Sequence, residues 1–166
     1  GLSEGQISEI EQASKLIPIL LSPNMSLGVN LLFELVRKTA SILDESYDVE
    51  IIETHHHFKK DAPSGTALKI AEVIAQERNV NLKDEAIYGR VGEVGQRKTG
   101  EIGIHAVRAG NISGEHTIIF NSLGERLELT HKAYSREAFA EGALKGVHFI
   151  SNKKTGLFSM KDVLKL

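Results

Sequence analysis

The side chains best suited to chemistry are concentrated between positions 53 and 67 of the 166-residue chain. The hydrophobic period is two from Val49 to Phe58, which predicts a strand. Such a strand would place His55 and His57 on one face and His56 on the other. Lys59 follows at the expected strand end. Imidazole and ammonium groups in this order suit an anionic substrate that needs a proton donor nearby.

The same stretch continues into a helix start. Pro63 and Ser64 are typical first residues, and apolar spacing predicts a helix running to about Arg78. Gly65 permits a close approach of a ligand to the backbone, and Thr66 adds a second hydroxyl. Free amides at the first turn of a helix attract carboxylates and phosphates. The pattern therefore indicates an anion-binding site beside the histidines.

Other interpretations of the histidines stay open at this point. A His-x-His strand spacing also occurs in zinc sites, with a third ligand supplied by His105, His116 or His131. The three histidines could also be a solvated run, and Pro-Ser-Gly-Thr alone is often only a helix cap. The density of hydrogen-bond donors within this short stretch favours the anion site, and we expect no bound metal.

Residues 53–67 also resemble a known family. They match E-x-H-H-x-x-K-x-D-x-P-S-G-T-A, the signature of bacterial dihydrodipicolinate reductase (4-hydroxy-tetrahydrodipicolinate reductase) of lysine and diaminopimelate biosynthesis, at every fixed position. Further segments are similar to that family along nearly the whole chain: 22–30, 108–110, 114–117, 124–125, 131–133, 135–136, 139–143 and 160–164.

The resemblance implies an NAD(P)H-dependent reduction, in which a cyclic dicarboxylate receives a hydride and a proton. It implies that His55 is the general acid and Lys59 a second donor. The positions that match the family's substrate-carboxylate contacts are His56, Gly65 and Thr66, with Ser64 as a neighbour. The loop that matches its nicotinamide contacts is Ser22, Pro23, Asn24 and Met25. NADH and NADPH both remain open as the cofactor.

A glycine-rich segment and two arginines are weaker candidates for ligand-binding features. Gly89, Gly92 and Gly95 recur every three residues, but no firm strand precedes them and a poor helix start follows. A dinucleotide fingerprint needs strand, turn and helix around its glycines. We therefore interpret residues 79–100 as a long mobile loop near the substrate site, with Arg97 as a weak candidate for contacting the substrate. Arg136 fits an interdomain ion pair as well as a ligand contact.

The order of predicted elements indicates an α+β fold with a mixed, mostly antiparallel four-stranded sheet. Strands are expected at 49–58, 102–108, 115–121 and 126–132. We predict three regions: 1–26 as a remnant of a dinucleotide-binding Rossmann domain, 27–136 as the substrate-binding and tetramerisation domain, and 137–166 as a segment returning to the Rossmann domain. Leu27, Leu31, Leu35 and Ile42 form one apolar stripe of the second predicted helix, and Leu32 and Val36 lie beside it.

Composition narrows the function classes. Hydrophobic residues make up 41% and charged residues 25%, which suits a folded domain. The net charge of -2 argues against a nucleic-acid binder held by bulk charge, and the absence of Cys excludes disulfides and thiolate catalysis. We expect no membrane partner, a cytoplasmic location and, from the resemblance, a homotetramer. Because no Gly-rich phosphate turn is present, we expect this chain alone to lack turnover; an inactive oligomerisation or binding module is the alternative.

Overall fold

The computed structural model describes residues 2–166, which form two compact units. Leu31–Arg136 make up the first unit to be described, and the residues up to Asn30 together with Glu137–Leu166 make up the other. The elements are α1 (Glu4–Ser14), β1 (Pro18–Leu20), α2 (Leu27–Ala40), β2 (Asp48–His55), α3 (Gly65–Glu77), α4 (Leu82–Glu85), β3 (Ala86–Tyr88), β4 (Ile102–Arg108), β5 (Gly114–Asn121), β6 (Arg126–Ala133), α5 (Glu137–Ile150), β7 (Gly156–Phe158) and α6 (Met160–Leu164).

A five-stranded mixed sheet forms the centre of the unit Leu31–Arg136. Its strand order is β3-β4-β2-β5-β6. The β3–β4 and β4–β2 pairs are parallel, whereas the β2–β5 and β5–β6 pairs are antiparallel. The prediction of an α+β fold with a mixed sheet is confirmed. The strand count was too low by one, because β3 is only three residues long and lies in a segment predicted to be a loop.

Alternation along β2 separates the two faces of this sheet. Val49, Ile51, Glu53 and His55 are buried on one face, and the residues between them are more exposed on the other. Helix α3 lies against β2 and β4. Its inward residues are the predicted ones, and they are fully buried: Ala67, Ile70, Ala71 and Ile74. This covered face is where the candidate site begins.

The segment 79–100 is more ordered than a loop. It contains α4, capped by the Asn81 side chain, and β3 along the sheet edge. Arg90 and Arg97 then reach back to Glu50 on the open face of the sheet. The prediction of a long loop over 79–100 was wrong for residues 82–88, which form α4 and β3. The ion pairs that hold the rest of the segment have no local signature in the sequence.

The unit that contains both chain ends is a small α/β arrangement. Strands β1 and β7 pair in parallel, Pro18 with Gly156 through Leu20 with Phe158. Helix α1 starts with a capping box, in which Ser3 and Gln6 bond reciprocally. Strand β7 was not predicted, and both strands of this pair are only three residues long. Short strands carry too little periodicity to be recognised.

Helix α2 buries the second of its two predicted apolar stripes, the one that contains Leu32 and Val36. Leu32, Phe33, Val36 and Ala40 are buried, while side chains of the other predicted stripe are largely exposed: Leu31, Leu35 and Ile42. Because the helix carries two adjacent apolar stripes, spacing alone did not decide which one covers the core. Among residues 2–166, no helix has the length and apolar character needed to cross a membrane.

Candidate functional site

The candidate site is built where β2 ends. The strand stops at His55, three residues earlier than predicted, because the chain turns towards the β4–β5 connection. The backbone amide of His56 donates to the Ile112 carbonyl, and the His57 amide donates to that of Gly110. His55 therefore stays on the covered face of the sheet, whereas His57 is exposed and stacks against Phe58. The expected shared face for His55 and His57 is not formed.

The start of α3 forms the second part of the site. Ser64 is the N-cap, and its hydroxyl accepts a hydrogen bond from the Ala67 amide at 3.2 Å. Gly65 is exposed, and a Cβ added there would meet no other atom within 4 Å. Amides at a helix start carry partial positive charge. The helix start predicted at Pro63 and Ser64 is confirmed, and the use of its exposed first turn as an anion site stays a prediction.

Glu53 joins these two parts. Its side chain is completely buried. Its two carboxylate oxygens make four hydrogen bonds, all with donor groups. Oε1 accepts from the Ser64 amide (3.0 Å) and Arg108 Nη2 (2.7 Å). Oε2 accepts from Arg108 Nη1 (2.8 Å) and lies 2.5 Å from His55 Nδ1. Sequence reasoning assigned Glu53 no role; its position two residues before His55, on the same strand face, was the available signal.

The charge of Glu53 is maintained in spite of burial. Burial raises the pKa of its carboxyl, but hydrogen bonds from Arg108, His55 and Ser64 outweigh that effect and leave the pKa below its ordinary value. Arg108 also donates to the carbonyl of Asp61, so the same guanidinium holds the connection that leads into α3. An ionised, fully bonded carboxylate therefore lies at the centre of the site.

The remaining predicted residues lie around this centre. Lys59 Nζ forms an ion pair with Asp61 Oδ1 at 2.9 Å, and its side chain is mostly buried. His56 is partly buried at the turn, 6.2 Å from the ring of Phe58. The Lys59 charge is close enough to contribute to lowering the pKa of His55. Their roles in binding or catalysis stay predictions.

His116 is a second residue whose place the sequence did not indicate. It lies on β5 with 3% of its surface exposed. Its Nε2 is 3.2 Å from the Ser64 hydroxyl, and its ring packs edge-on against that of His55 at 5.3 Å. Burial, followed by the neighbouring charge of His55, lowers the pKa of His116 to about 4. At neutral pH His116 is therefore an uncharged support for Ser64.

The pKa of His55 itself lies below its ordinary value. Burial is the largest cause, and the charges of Lys59 and Arg108 act in the same direction. Glu53 opposes this shift through its hydrogen bond and its charge. Burial and two cations thus lower the pKa of the His55 ring, and a single carboxylate raises it.

The histidines do not gather as a metal site. Across residues 2–166, no group of three or more His, Asp or Glu side chains is arranged to hold a metal ion. His105, one of the alternative third ligands, instead pairs with Glu50 at 2.6 Å. His116 and His131 are cross-strand neighbours on β5 and β6.

The predicted cofactor loop belongs to the unit that holds the chain ends. The Ser22 hydroxyl donates to the Asn24 carbonyl, and the Asn24 side chain accepts from the Ser26 amide at 2.8 Å. Gly142 of α5 packs directly on this loop, since a Cβ there would lie 1.8 Å from the Met25 carbonyl oxygen. Ser22, Pro23, Asn24 and Met25 therefore form a shaped turn, and their contact with a nicotinamide stays a prediction.

Arg97 is not brought to the candidate site. It binds Asp48 at 2.6 Å and Glu50 at 3.1 Å, near the other end of β2 from His55. With about 3.3 Å per strand residue, Glu50 and His55 are roughly 17 Å apart along the strand. The weak prediction of a substrate contact by Arg97 is not supported by this position.

Comparisons with known proteins give a consistent result. The family model "Dihydrodipicolinate reductase, C-terminus" matches residues 28–164. The 4-hydroxy-tetrahydrodipicolinate reductase of Nitrosomonas europaea is 53% identical over 166 residues, covering 100% of this chain and 62% of the relative. That of Syntrophus aciditrophicus is 49% identical over 164 residues, covering 99% of this chain and 61% of the relative. The chain thus spans about three-fifths of the length of these curated relatives.

A solved structure is similar in fold as well. A dipicolinate-bound dihydrodipicolinate reductase from Paenisporosarcina sp. TG-14 matches with a TM-score of 0.74 and 26% identity, covering 98% of this chain and 61% of that chain. The family resemblance seen in the sequence is therefore confirmed, and the match extends through both structural units.

Proposed function

Because the chain belongs to the dihydrodipicolinate reductase family, we propose that it supplies the substrate site of an NAD(P)H-dependent 4-hydroxy-tetrahydrodipicolinate reductase. The reaction is the reduction of 4-hydroxy-tetrahydrodipicolinate or dihydrodipicolinate to tetrahydrodipicolinate in lysine and diaminopimelate biosynthesis. The family match favours this function over a His-ligated metallohydrolase. The family match also favours this reductase function over an inactive binding module. Such a module would not need to keep the family signature at residues 53–67.

The observation that carries the proposal is the juxtaposition of a proton donor and an anion site through one buried carboxylate. Glu53 bonds both to His55 and to the Ser64 amide at the start of α3. A ring dicarboxylate bound at Gly65 and Thr66 would have one carboxylate at the helix start and its reducible bond near the imidazole. His56 and Ser64 complete the proposed substrate contacts.

In this proposal His55 delivers the proton and Lys59 is a second donor. When bound, NADH or NADPH supplies the hydride. The residues proposed to contact the nicotinamide are Ser22, Pro23, Asn24 and Met25, whose turn is supported by internal hydrogen bonds. The parallel β1–β7 pair, flanked by helices, suits membership of a dinucleotide-binding domain. We assign residues 1–26 and 137–166 to that domain and residues 27–136 to substrate binding.

Assembly and location complete the proposal. We propose a cytoplasmic homotetramer formed through the open face of the five-stranded sheet. Ile52 and Val107 remain partly exposed on that face, and Thr117 bonds Thr130 across neighbouring strands. Exposed apolar and small polar side chains such as these are suited to packing against a second copy.

Dipicolinate binding to the 166-residue chain tests the substrate site. We expect the aromatic dicarboxylate to perturb the amide NMR signals of Gly65 and Thr66. In Gly65→Ala the affinity should fall at least about tenfold, because the new methyl group occupies ligand space while touching no protein atom. Gly124→Ala is the matched control, since a Cβ there also meets nothing within 4 Å. Perturbations confined to other residues, or equal affinities for the two variants, would contradict the proposal.

A further inference from the structure

Glu53 is unusual among the charged groups of the candidate site, since it is completely buried and hydrogen-bonds both to His55 and to the start of α3. Donors from three elements reach its two oxygens: the imidazole of His55 at the end of β2, the guanidinium of Arg108 at the end of β4, and the amide of Ser64 at the start of α3. Such saturation leaves the carboxylate a single orientation. A group held in this way is able to orient others.

The contact between Glu53 and His55 determines the tautomer of the imidazole. An ionised carboxylate only accepts hydrogen bonds, so the His55 nitrogen 2.5 Å from Oε2 carries a hydrogen. That nitrogen is Nδ1, which leaves Nε2 as the nitrogen that exchanges a proton with a substrate. Space beside Nε2 is preserved by Gly114, where a Cβ would lie 3.0 Å from that atom.

The charged and titratable groups around His55 come from four parts of the chain. Glu53 lies on the same strand, Arg108 on β4, Lys59 on the turn that follows β2, and His116 on β5. Asp61 neutralises part of this cationic surrounding through its ion pair with Lys59. Glu53 is the anionic group that bonds directly to the ring, and the cations and the burial all favour the neutral imidazole.

We propose that Glu53 is the positioning residue of the reductase site, which fixes His55 with Nδ1 as donor and Nε2 towards the substrate and aligns the ring with the α3 anion site through the Ser64 amide. Arg108 assists by neutralising Glu53 bidentately, so that the carboxylate orients the imidazole without abstracting its proton. This inference rests on the proposed function, because it assigns the proton transfer to His55.

The tautomer is tested directly in the 166-residue chain by NMR of the imidazole nitrogens. In the unaltered chain, neutral His55 should carry its hydrogen on Nδ1. In Glu53→Gln we expect loss of that preference and a titration midpoint of His55 about one pH unit lower, since an opposite charge is removed. Glu50→Gln is the matched control: it lies on the same strand, pairs with arginines and a histidine, and faces the other side. It should leave the His55 signals unchanged.

Turnover supplies the second readout. It is measured in the full-length protein, meaning a reductase that contains this chain and has the length of the curated relatives. Glu53→Gln should lower kcat about ten- to a hundredfold at neutral pH with a smaller change in KM, on the scale of impaired general acid catalysis. Because the proton donor must be protonated, the rate falls as pH rises through the pKa of His55. That fall should occur about one unit lower in Glu53→Gln, and Glu50→Gln should keep the original profile.

The outcomes separate the two proposals. If the unaltered full-length protein does not reduce the substrate, the proposed function fails, while the NMR measurement still decides the pairing of Glu53 with His55. If turnover is normal and Glu53→Gln changes neither the tautomer nor the pH profile, the positioning role is overturned. If Glu53→Gln does not fold, the double variant Glu53→Gln/Arg108→Gln removes both charges together. The imidazole signals of that variant then show whether His55 still prefers its hydrogen on Nδ1.

Discussion

Two glutamates three residues apart on β2 form similar clusters on opposite faces of one sheet. Glu53 binds Arg108 and His55 on the covered face, and Glu50 binds Arg90, Arg97 and His105 on the open face. Both have a pKa below the ordinary value although burial acts to raise it, because arginine and histidine donors outweigh burial. The residue types are nearly the same, so the difference between the clusters lies in their surroundings.

Burial and neighbours give the two clusters different consequences. The side chain of Glu50 keeps 22% of its surface exposed, and its two arginine partners come from the segment that follows β3. It therefore anchors a connection to the sheet. Glu53 has no exposed surface, and its partners include a helix start and a histidine at the strand end. The comparison teaches that the same pairing acts as a clamp where water has access and as an orienting device where water is excluded.

The largest expected contrast comes from removing one arginine on each face. Arg108→Ala leaves Glu53 buried with an uncompensated charge, which should lower the free energy of unfolding by about 3 kcal/mol. Arg90→Ala leaves Glu50 with Arg97, His105 and access to water, so the loss should be at most about 1 kcal/mol. Urea unfolding of both variants measures the difference. Equal losses would show that burial does not distinguish the two clusters.

A second contrast concerns pH, because the covered face also contains buried His116. Its pKa is lowered by burial to about 4, whereas in the unfolded chain it titrates near 6.5. Between these values the unfolded chain binds a proton that the folded chain excludes, so stability falls as pH falls through this window. From pH 6.5 to 4.5 the contribution of His116 to this loss is about 2 kcal/mol.

The measurement is urea unfolding at both pH values, for the unaltered chain and for His116→Gln. The variant should lose about 2 kcal/mol less over this interval, whatever its stability at pH 6.5, because glutamine does not titrate. An identical loss in both proteins would place the pH sensitivity elsewhere in the molecule.

The covered face was partly predictable from sequence, for reasons visible in its residues. The cap at Ser64 and the inward side of α3 follow from local chemistry and a 3.6-residue period. The end of β2 at His55 does not, because the amides of His56 and His57 bond to carbonyls more than fifty residues away in the chain. Glu53 and Arg108 are likewise 55 residues apart, and only the parallel pairing of β2 with β4 brings them together.

The open face was less predictable. Nothing near Glu50 indicates that Arg90 and Arg97 will bind it, and a Gly-rich, charged segment has the composition of a loop. Gly103 on β4 offered a hint, since a glycine inside a strand often marks a close approach. The Glu50 carboxylate occupies the space that a side chain at Gly103 would fill.

The glycines allow the smallest and most specific contrast. A Cβ at Gly103 would lie 1.8 Å from Glu50 Oε2, and one at Gly114 would lie 3.0 Å from His55 Nε2. Gly103→Ala must displace the Glu50 carboxylate, so we expect a loss of about 1 kcal/mol and faster hydrogen exchange of the amides at 89–100. Gly114→Ala requires the His55 ring to shift by only a few tenths of an ångström. The backbone at Gly114 has φ +157°, so an alanine there also strains the chain. The change specific to this variant should appear in the imidazole signals of His55.

If the two clusters are independent, each variant should change only the measurement that reports on its own cluster. Gly103→Ala should leave the His55 signals unchanged, and Gly114→Ala should leave exchange at 89–100 unchanged, because the two carboxylates lie on opposite faces of β2 and share no partner. A shift of the His55 signals in Gly103→Ala as large as that in Gly114→Ala would mean that the sheet transmits the disturbance. In that case the Glu50 cluster would belong to the machinery that positions His55, and the division into a clamp and an orienting device would not hold.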